Sequence, residues 1–231
     1  MPLVLCHSPK GGAGTSFVAA QLALAFAARG RSVTALGLGA IDGLSLHCGM
    51  PPSFRAPPLL AEGAPAPGID LRHDSAAAAR ADLPALLARL GLLSDERMLV
   101  VDLPSGSAEL ARLLEPIASV SLCILAPSPD CAAMLPQLAA EAQGLFVVNG
   151  LDETRRIYRH CAAFMREVLG ERLIGRIRGD IAVDEAQAML LPLARHAFAS
   201  EALADVNVLA DRVAVLLGGE VADGGASRRA A

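Results

Sequence analysis

The feature that most constrains this chain is "SPKGGAGTS", residues 8–16, set between an apolar run "LVLCH" and a long apolar stretch "FVAAQLALAFAARG". Strand, glycine-rich loop, helix is the arrangement that cradles a phosphate. Gly11, Gly12 and Gly14 allow the left-handed backbone such a loop needs, so successive N–H groups can converge on an anion. The helix that follows adds unpaired donors and roughly half a positive charge at its N-terminus. Ser16 stands where a hydroxyl would ligate Mg²⁺.

The strict pattern G-x-x-x-x-G-K-[ST] fails twice: Pro9 replaces its first glycine and Thr15 its lysine. The variant K-G-G-x-G-K-[ST] fails only at Thr15. An ammonium at position 15 would hold β- and γ-phosphate oxygens. Losing one preorganised contact of this kind costs roughly 3–4 kcal/mol of transition-state stabilisation. Binding through main-chain amides is expected to survive better than hydrolysis. All but one of the 20 basic residues are arginines, and the single lysine, Lys10, lies in this loop.

Downstream, short apolar runs alternate with longer helical stretches. Strands are expected at 3–7, 32–38, 69–72, 98–103, 120–126, 145–149 and 173–177. Helices are expected at 16–28, 76–92, 108–117, 132–143, 153–169, 183–190 and 201–217. Continuous apolar runs such as "MLVVDL" and "SLCILA" suit strands covered on both faces. The expected fold is therefore α/β, doubly wound, with a mostly parallel sheet and helices on both faces. One domain is expected over 1–217. A Pro-rich surface excursion at 51–68 lies within it, and a disordered tail at 218–231 follows it. With 53% hydrophobic residues, 3% aromatics and no Trp, the core must be built from Ala, Leu and Val.

Five cysteines at 6, 48, 123, 131 and 161 form no CxxC pair, which fits reduced thiols better than a disulfide frame or a zinc site. No signal peptide or membrane-spanning run is read. A net charge of −4 argues against a sequence-independent grip on nucleic acid. The arginines at 155, 156, 159, 166, 172, 176 and 178 are interspersed with acids, as on a solvated or subunit-contacting face. His7 reads as a packed, hydrogen-bonded residue.

The variant loop resembles that of the MinD/ParA class of P-loop ATPases, and so do three later stretches. "LVVDLPSG" (99–106) resembles the class's second signature, which implies that Asp102 holds the Mg²⁺ shell. "FVVNG" (146–150) resembles the adenine-contacting strand end, with Asn149 at the edge. "IRGDIAVDEAQAMLLPL" (177–193) resembles the later I-P-x-D segment, with Gly179 in place of the proline. The Thr at the lysine position, with "VDLP" and a late "D-E-A" segment, narrows the likeness to the cellulose-biosynthesis accessory proteins of the BcsQ/YhjQ type, over about residues 2–215. That resemblance implies a cytoplasmic homodimer sandwiching two ATP–Mg²⁺ units, with Lys10 reaching the partner's phosphates. Residues 10–16 (Lys10, Gly11, Gly12, Ala13, Gly14, Thr15, Ser16) and Asn149 would bind nucleotide, and Ser16 and Asp102 the metal. It also implies other cellulose synthase accessory subunits as partners, beside the inner-membrane synthase and without direct insertion.

One departure bears on turnover. The class ends its second strand with aspartates that orient water. Here the strand ends "ALGLGAIDG", with Gly37 and Gly39 at those positions. Asp42 either serves in their stead or caps the helix starting near Leu44. The expected protein is an ATP-binding switch or scaffold with slow or absent hydrolysis. A DNA-partition or polar-positioning ATPase, and a structural protein without nucleotide, are the alternatives.

Overall fold

The computed structural model describes residues 2–51, 54–57, 64–66, 68–75, 83 and 97–218. The strands are β1 Leu3–His7, β2 Val33–Gly37, β3 Ala64–Ala66, β4 Ile69–His73, β5 Met98–Asp102, β6 Val120–Leu125, β7 Leu145–Leu151 and β8 Leu173–Arg178. The helices are α1 Thr15–Ala28, α2 Gly43–His47, α3 Ala108–Leu114, α4 Pro129–Glu141, α5 Arg156–Leu169, α6 Ile181–Ala188, α7 Leu193–His196 and α8 Glu201–Leu216. Short 3₁₀ turns follow α3 and α5. The expected helix at 76–92 lies outside the described residues except for Leu83, which is helical and buried. The expected tail lies outside them beyond Gly218.

The eight strands among the described residues join one sheet in the order β3-β4-β2-β5-β1-β6-β7-β8. Every neighbouring pair is parallel except β3–β4. The doubly wound, mostly parallel fold is thus as read from the sequence. The excursion at 51–68 differs in one respect: it contains the antiparallel edge strand β3, whose extended form is set by pairing with β4.

Side chains alternate across the sheet as strand geometry demands. Val4 and Cys6 join a core shared with α1, α2, α6 and α8, whereas Leu3 and Leu5 point to the opposite face, where α3 packs. A third cluster, under α4 and α5, holds Cys123, Leu125, Phe146 and Val148. Helix α1 is apolar nearly all round because it is covered nearly all round, with the sheet on one side and α2 and α8 against the others. That explains how so long an apolar stretch belongs to a helix of the domain. No described helix is long and apolar enough to cross a membrane.

Register positions the site. Cys6 pairs with Asp102, and Asp102 with Gly37. The loops leaving β1, β5 and β2 therefore emerge side by side at the carboxyl edge of the sheet, where α/β folds bind ligands.

Candidate nucleotide and metal site

The loop between β1 and α1 turns on Gly12 and Gly14, both with φ 79, and Gly14 is the N-cap of α1. L-residues with a side chain rarely adopt this backbone. The loop is tied to its neighbours by main-chain bonds. Gly106 N donates to Ser8 O at 3.1 Å, and Leu103 N to Cys6 O at 2.9 Å, joining it to the segment after β5. Ser8 Oγ donates to Lys10 O at 3.0 Å.

Ser16 and Asp102 meet: Ser16 Oγ donates to Asp102 Oδ2 at 2.6 Å. Asp102 is only 5% exposed, and its other oxygen, Oδ1, is buried without a hydrogen-bond partner among the described residues. Burial pushes this carboxyl up to about 7; the Ser16 bond and His73 oppose the rise, and Asp42 adds to it. A half-satisfied buried carboxylate is costly. A hard cation bound through oxygen donors would relieve that cost, so the hydroxyl and carboxylate fit Mg²⁺. Among the described residues no cluster of three His, Cys, Asp or Glu side chains suits a protein-only metal cage.

The other sequence-read residues divide. Thr15 is buried in the first turn of α1, so no cation lies at the in-loop lysine position. Lys10 Nζ pairs with Asp130 at the start of α4. That bond raises the lysine's pKa and lowers that of the aspartate. Asn149 Nδ2 donates to Ala13 O at 2.9 Å, so this side chain reaches the glycine-rich loop itself. Asp42 caps α2: Oδ1 accepts from Ser45 N at 3.1 Å and Oδ2 from Ser45 Oγ. In this arrangement both its oxygens serve the cap, the second of the two roles open to it.

Two contributors were not read from the sequence. Asp130 lies 120 positions from Lys10, and the "SPD" start of α4, a Ser-Pro helix entry, was its only local signal. His73, at the end of β4, fills the space beside Gly37: a Cβ at position 37 would stand 3.3 Å from its Cδ2 and 3.3 Å from Leu44 Cδ1. Its Nε2 lies 2.8 Å from Gly39 O. A side chain at position 37 would therefore start in contact with an imidazole from the neighbouring strand.

Away from the site, His7 is buried, 3.3 Å from Ser121 Oγ and 3.7 Å from Glu115 Oε1, and burial lowers its pKa to about 4. All five cysteines are buried free thiols. Several of the clustered arginines hold the fold together. Arg178 pairs with Asp205 and Glu201, and Arg172 donates to the carbonyls of Ala139, Ala142 and Gly144 beside the ring of Phe146.

Comparison with solved structures shows the same fold in MinD and ParA ATPases. MinD from Pyrococcus horikoshii, complexed with Mg-ADP, matches with TM-score 0.73 at 19% identity, covering 94% of this chain and 97% of that one. A MinC:MinD complex from Aquifex aeolicus matches with TM-score 0.74 at 14% identity, covering 97% and 99%. An ATP complex of a single-residue variant of McdA from Cyanothece matches with TM-score 0.68 at 18% identity, covering 95% and 97%. At these identities the likeness establishes the fold. A search of curated protein sequences finds no match. A family model, "Cellulose biosynthesis protein BcsQ", matches residues 68–214, more than half of the chain's 231 residues. The match includes Asp102, Asp130 and Asn149 and begins beyond the glycine-rich loop. On that match, the chain belongs to the cellulose biosynthesis protein BcsQ family.

Proposed function

We propose that this chain is a cytoplasmic, ATP- and Mg²⁺-binding switch or scaffold subunit of bacterial cellulose synthesis and secretion, with slow or absent hydrolysis. The observation that carries the nucleotide reading is the unpartnered Oδ1 of Asp102 beside Ser16, at the foot of a loop with two left-handed glycines. Main-chain amides of residues 11–16 would hold the phosphates. Ser16 and Asp102 would hold the metal, directly or through water. Bound there, Mg²⁺ supplies charge neutralisation for the triphosphate and for the buried carboxylate.

Weak hydrolysis follows from the groups at hand. The loop has no cation at position 15, Asp42 is engaged as a cap, and His73 fills the space beside Gly37. Within one chain the loop offers no lysine at position 15 to neutralise charge, and positions 37 and 39 carry glycine, with no carboxylate of their own to orient water. ATP would then act as a ligand that holds a state. That state is a homodimer in which Lys10, one-third exposed, leaves Asp130 for the partner's phosphates. Other accessory subunits of the synthase are the partners this family assignment favours, with contact to the membrane through them.

Calorimetric titration with Mg·ATP, followed by light scattering with and without ATP, tests the proposal. Saturable heat and a doubled mass are expected. Heat without a change of mass would remove the dimer and keep the ligand. The second reading, a structural protein that has given up nucleotide, is favoured by the buried Thr15 and by the engagement of Lys10 with Asp130; absence of heat would select it. An ATP-dependent, salt-sensitive DNA mobility shift would select a partition-type ATPase instead.

A further inference from the structure

We infer that Asn149 is a positioning residue that sets the conformation of the phosphate loop, rather than a reader of the base. The inference rests on the reading of that loop as a phosphate cradle. Strand β7 changes register against β8 between Asn149 and Leu151, with Gly150 at φ 76. Such irregularities re-aim a side chain. Here Asn149 Nδ2 donates to the carbonyl of Ala13 at 2.9 Å, across 136 residues of sequence.

The chemistry of the peptide unit turns this bond into a loop-setting device. The Ala13 carbonyl and the Gly14 N–H belong to one planar, trans peptide, so they point in opposite directions. Holding the carbonyl toward Asn149 directs the Gly14 N–H away from it. Gly14 is the left-handed N-cap of α1, with φ 79 and ψ 31. Its N–H is one of the orphan donors available to an anion.

Packing agrees with the bond. A Cβ at position 14 would stand 2.2 Å from Asn149 Nδ2. Only glycine lets the amide approach this closely, so Gly14 is required both for its backbone and for the fit against Asn149. A group that only touched a base would have no need of such an approach to the loop.

The test compares Asn149→Ala and Asn149→Asp with the parent chain. Asp retains an acceptor oxygen for a base amino group but cannot donate to Ala13 O at pH 8. Two measurements are made: amide exchange of residues 11–18 without ligand, and affinity for Mg·ATP and for Mg·tripolyphosphate, which has no base. Faster loop exchange is expected in both variants. Both ligands should weaken by the same factor, roughly three- to ten-fold for one neutral hydrogen bond, and Asp should be no better than Ala. Unfolding midpoints separate this local effect from loss of fold; Asn149→Ser, which keeps a donor on a shorter arm, substitutes if Ala does not fold. Unchanged loop exchange overturns the inference. So does weakened ATP with unchanged tripolyphosphate. If the parent binds neither ligand, the nucleotide reading fails, and the exchange measurement alone still decides whether Asn149 braces the loop.

Discussion

Asp102→Asn should stabilise this protein in the absence of metal, although it removes an acid from the heart of the candidate site. The buried carboxyl is raised from an ordinary 3.8 to about 7, chiefly by burial. At 1.36 kcal/mol per pH unit, holding it ionised above pH 7 costs about 4 kcal/mol. Asn keeps the shape and still accepts from Ser16, but a charge-assisted bond becomes a neutral one, a loss of roughly 1 kcal/mol. An amide N–H group left unpaired costs about 1–2 kcal/mol more. The net expectation is a gain on the order of 1–2 kcal/mol at pH 8.

The pH dependence has a definite sign. A carboxyl whose folded pKa is raised binds its proton more tightly in the folded state, so its cost grows as pH climbs from about 4 through 7. The advantage of the Asn variant should therefore shrink by pH 5. His7 and His47, both lowered to about 4 by burial, lose stability in the opposite direction as pH falls from 6.5. They contribute alike to parent and variant and cancel in the difference. Urea unfolding of both proteins with EDTA at pH 5 and 8 is the assay. A difference that is the same at the two pH values, or a variant less stable than its parent at pH 8, would refute the reasoning.

Other outcomes follow from single contacts. Asp130→Ala frees the Lys10 ammonium from an exposed pair; ATP-dependent dimerisation by light scattering should strengthen by up to about five-fold, the scale of such pairs. Thr15→Lys places a cation at the missing position, and phosphate release should rise at least about ten-fold, below the ~10²–10³ of a fully built site because positions 37 and 39 carry glycine and not aspartate. Gly37→Asp must push its Cβ between His73 and Leu44, 3.3 Å from each; thermal unfolding should show a loss of about 1–3 kcal/mol, so this restoration should not recover turnover. Metal affinity should rise with pH through 7, since Mg²⁺ and a proton compete for Asp102.

Much of the fold was legible because the central parallel strands β1, β2, β5 and β6 are buried on both faces and read as largely apolar runs. "MLVVD" and "VSLCIL" are strands β5 and β6, buried throughout. The glycines at 12 and 14 announced left-handed turns, and Ser16 and Asp102 were placed together by motif alone. The start of α4 at Pro129, three residues before the expected 132, was readable from Ser128 and the proline at the first helical turn. Strand β3 was missed because Pro65, which lacks an N–H, argues against a strand; its pairing with β4, Ala66 opposite Ile69, is a local one at the sheet edge. The Lys10–Asp130 and Asn149–Ala13 contacts were not readable for a different reason: they join residues 120 and 136 positions apart, brought together only by the fold. Gly37 showed that a carboxylate was missing, but only the register of β4 against β2, which pairs Gly37 with His73, reveals what stands beside it.

The central claim is that a main-chain cradle, with Ser16 and Asp102 at its foot, holds a magnesium triphosphate without an in-loop lysine. Calorimetric titration of the parent chain with ATP, with Mg²⁺ and then with chelator, tests it most directly. Saturable heat that vanishes when Mg²⁺ is removed is the predicted result. No heat at millimolar Mg·ATP, or heat of equal size with chelator present, would contradict it.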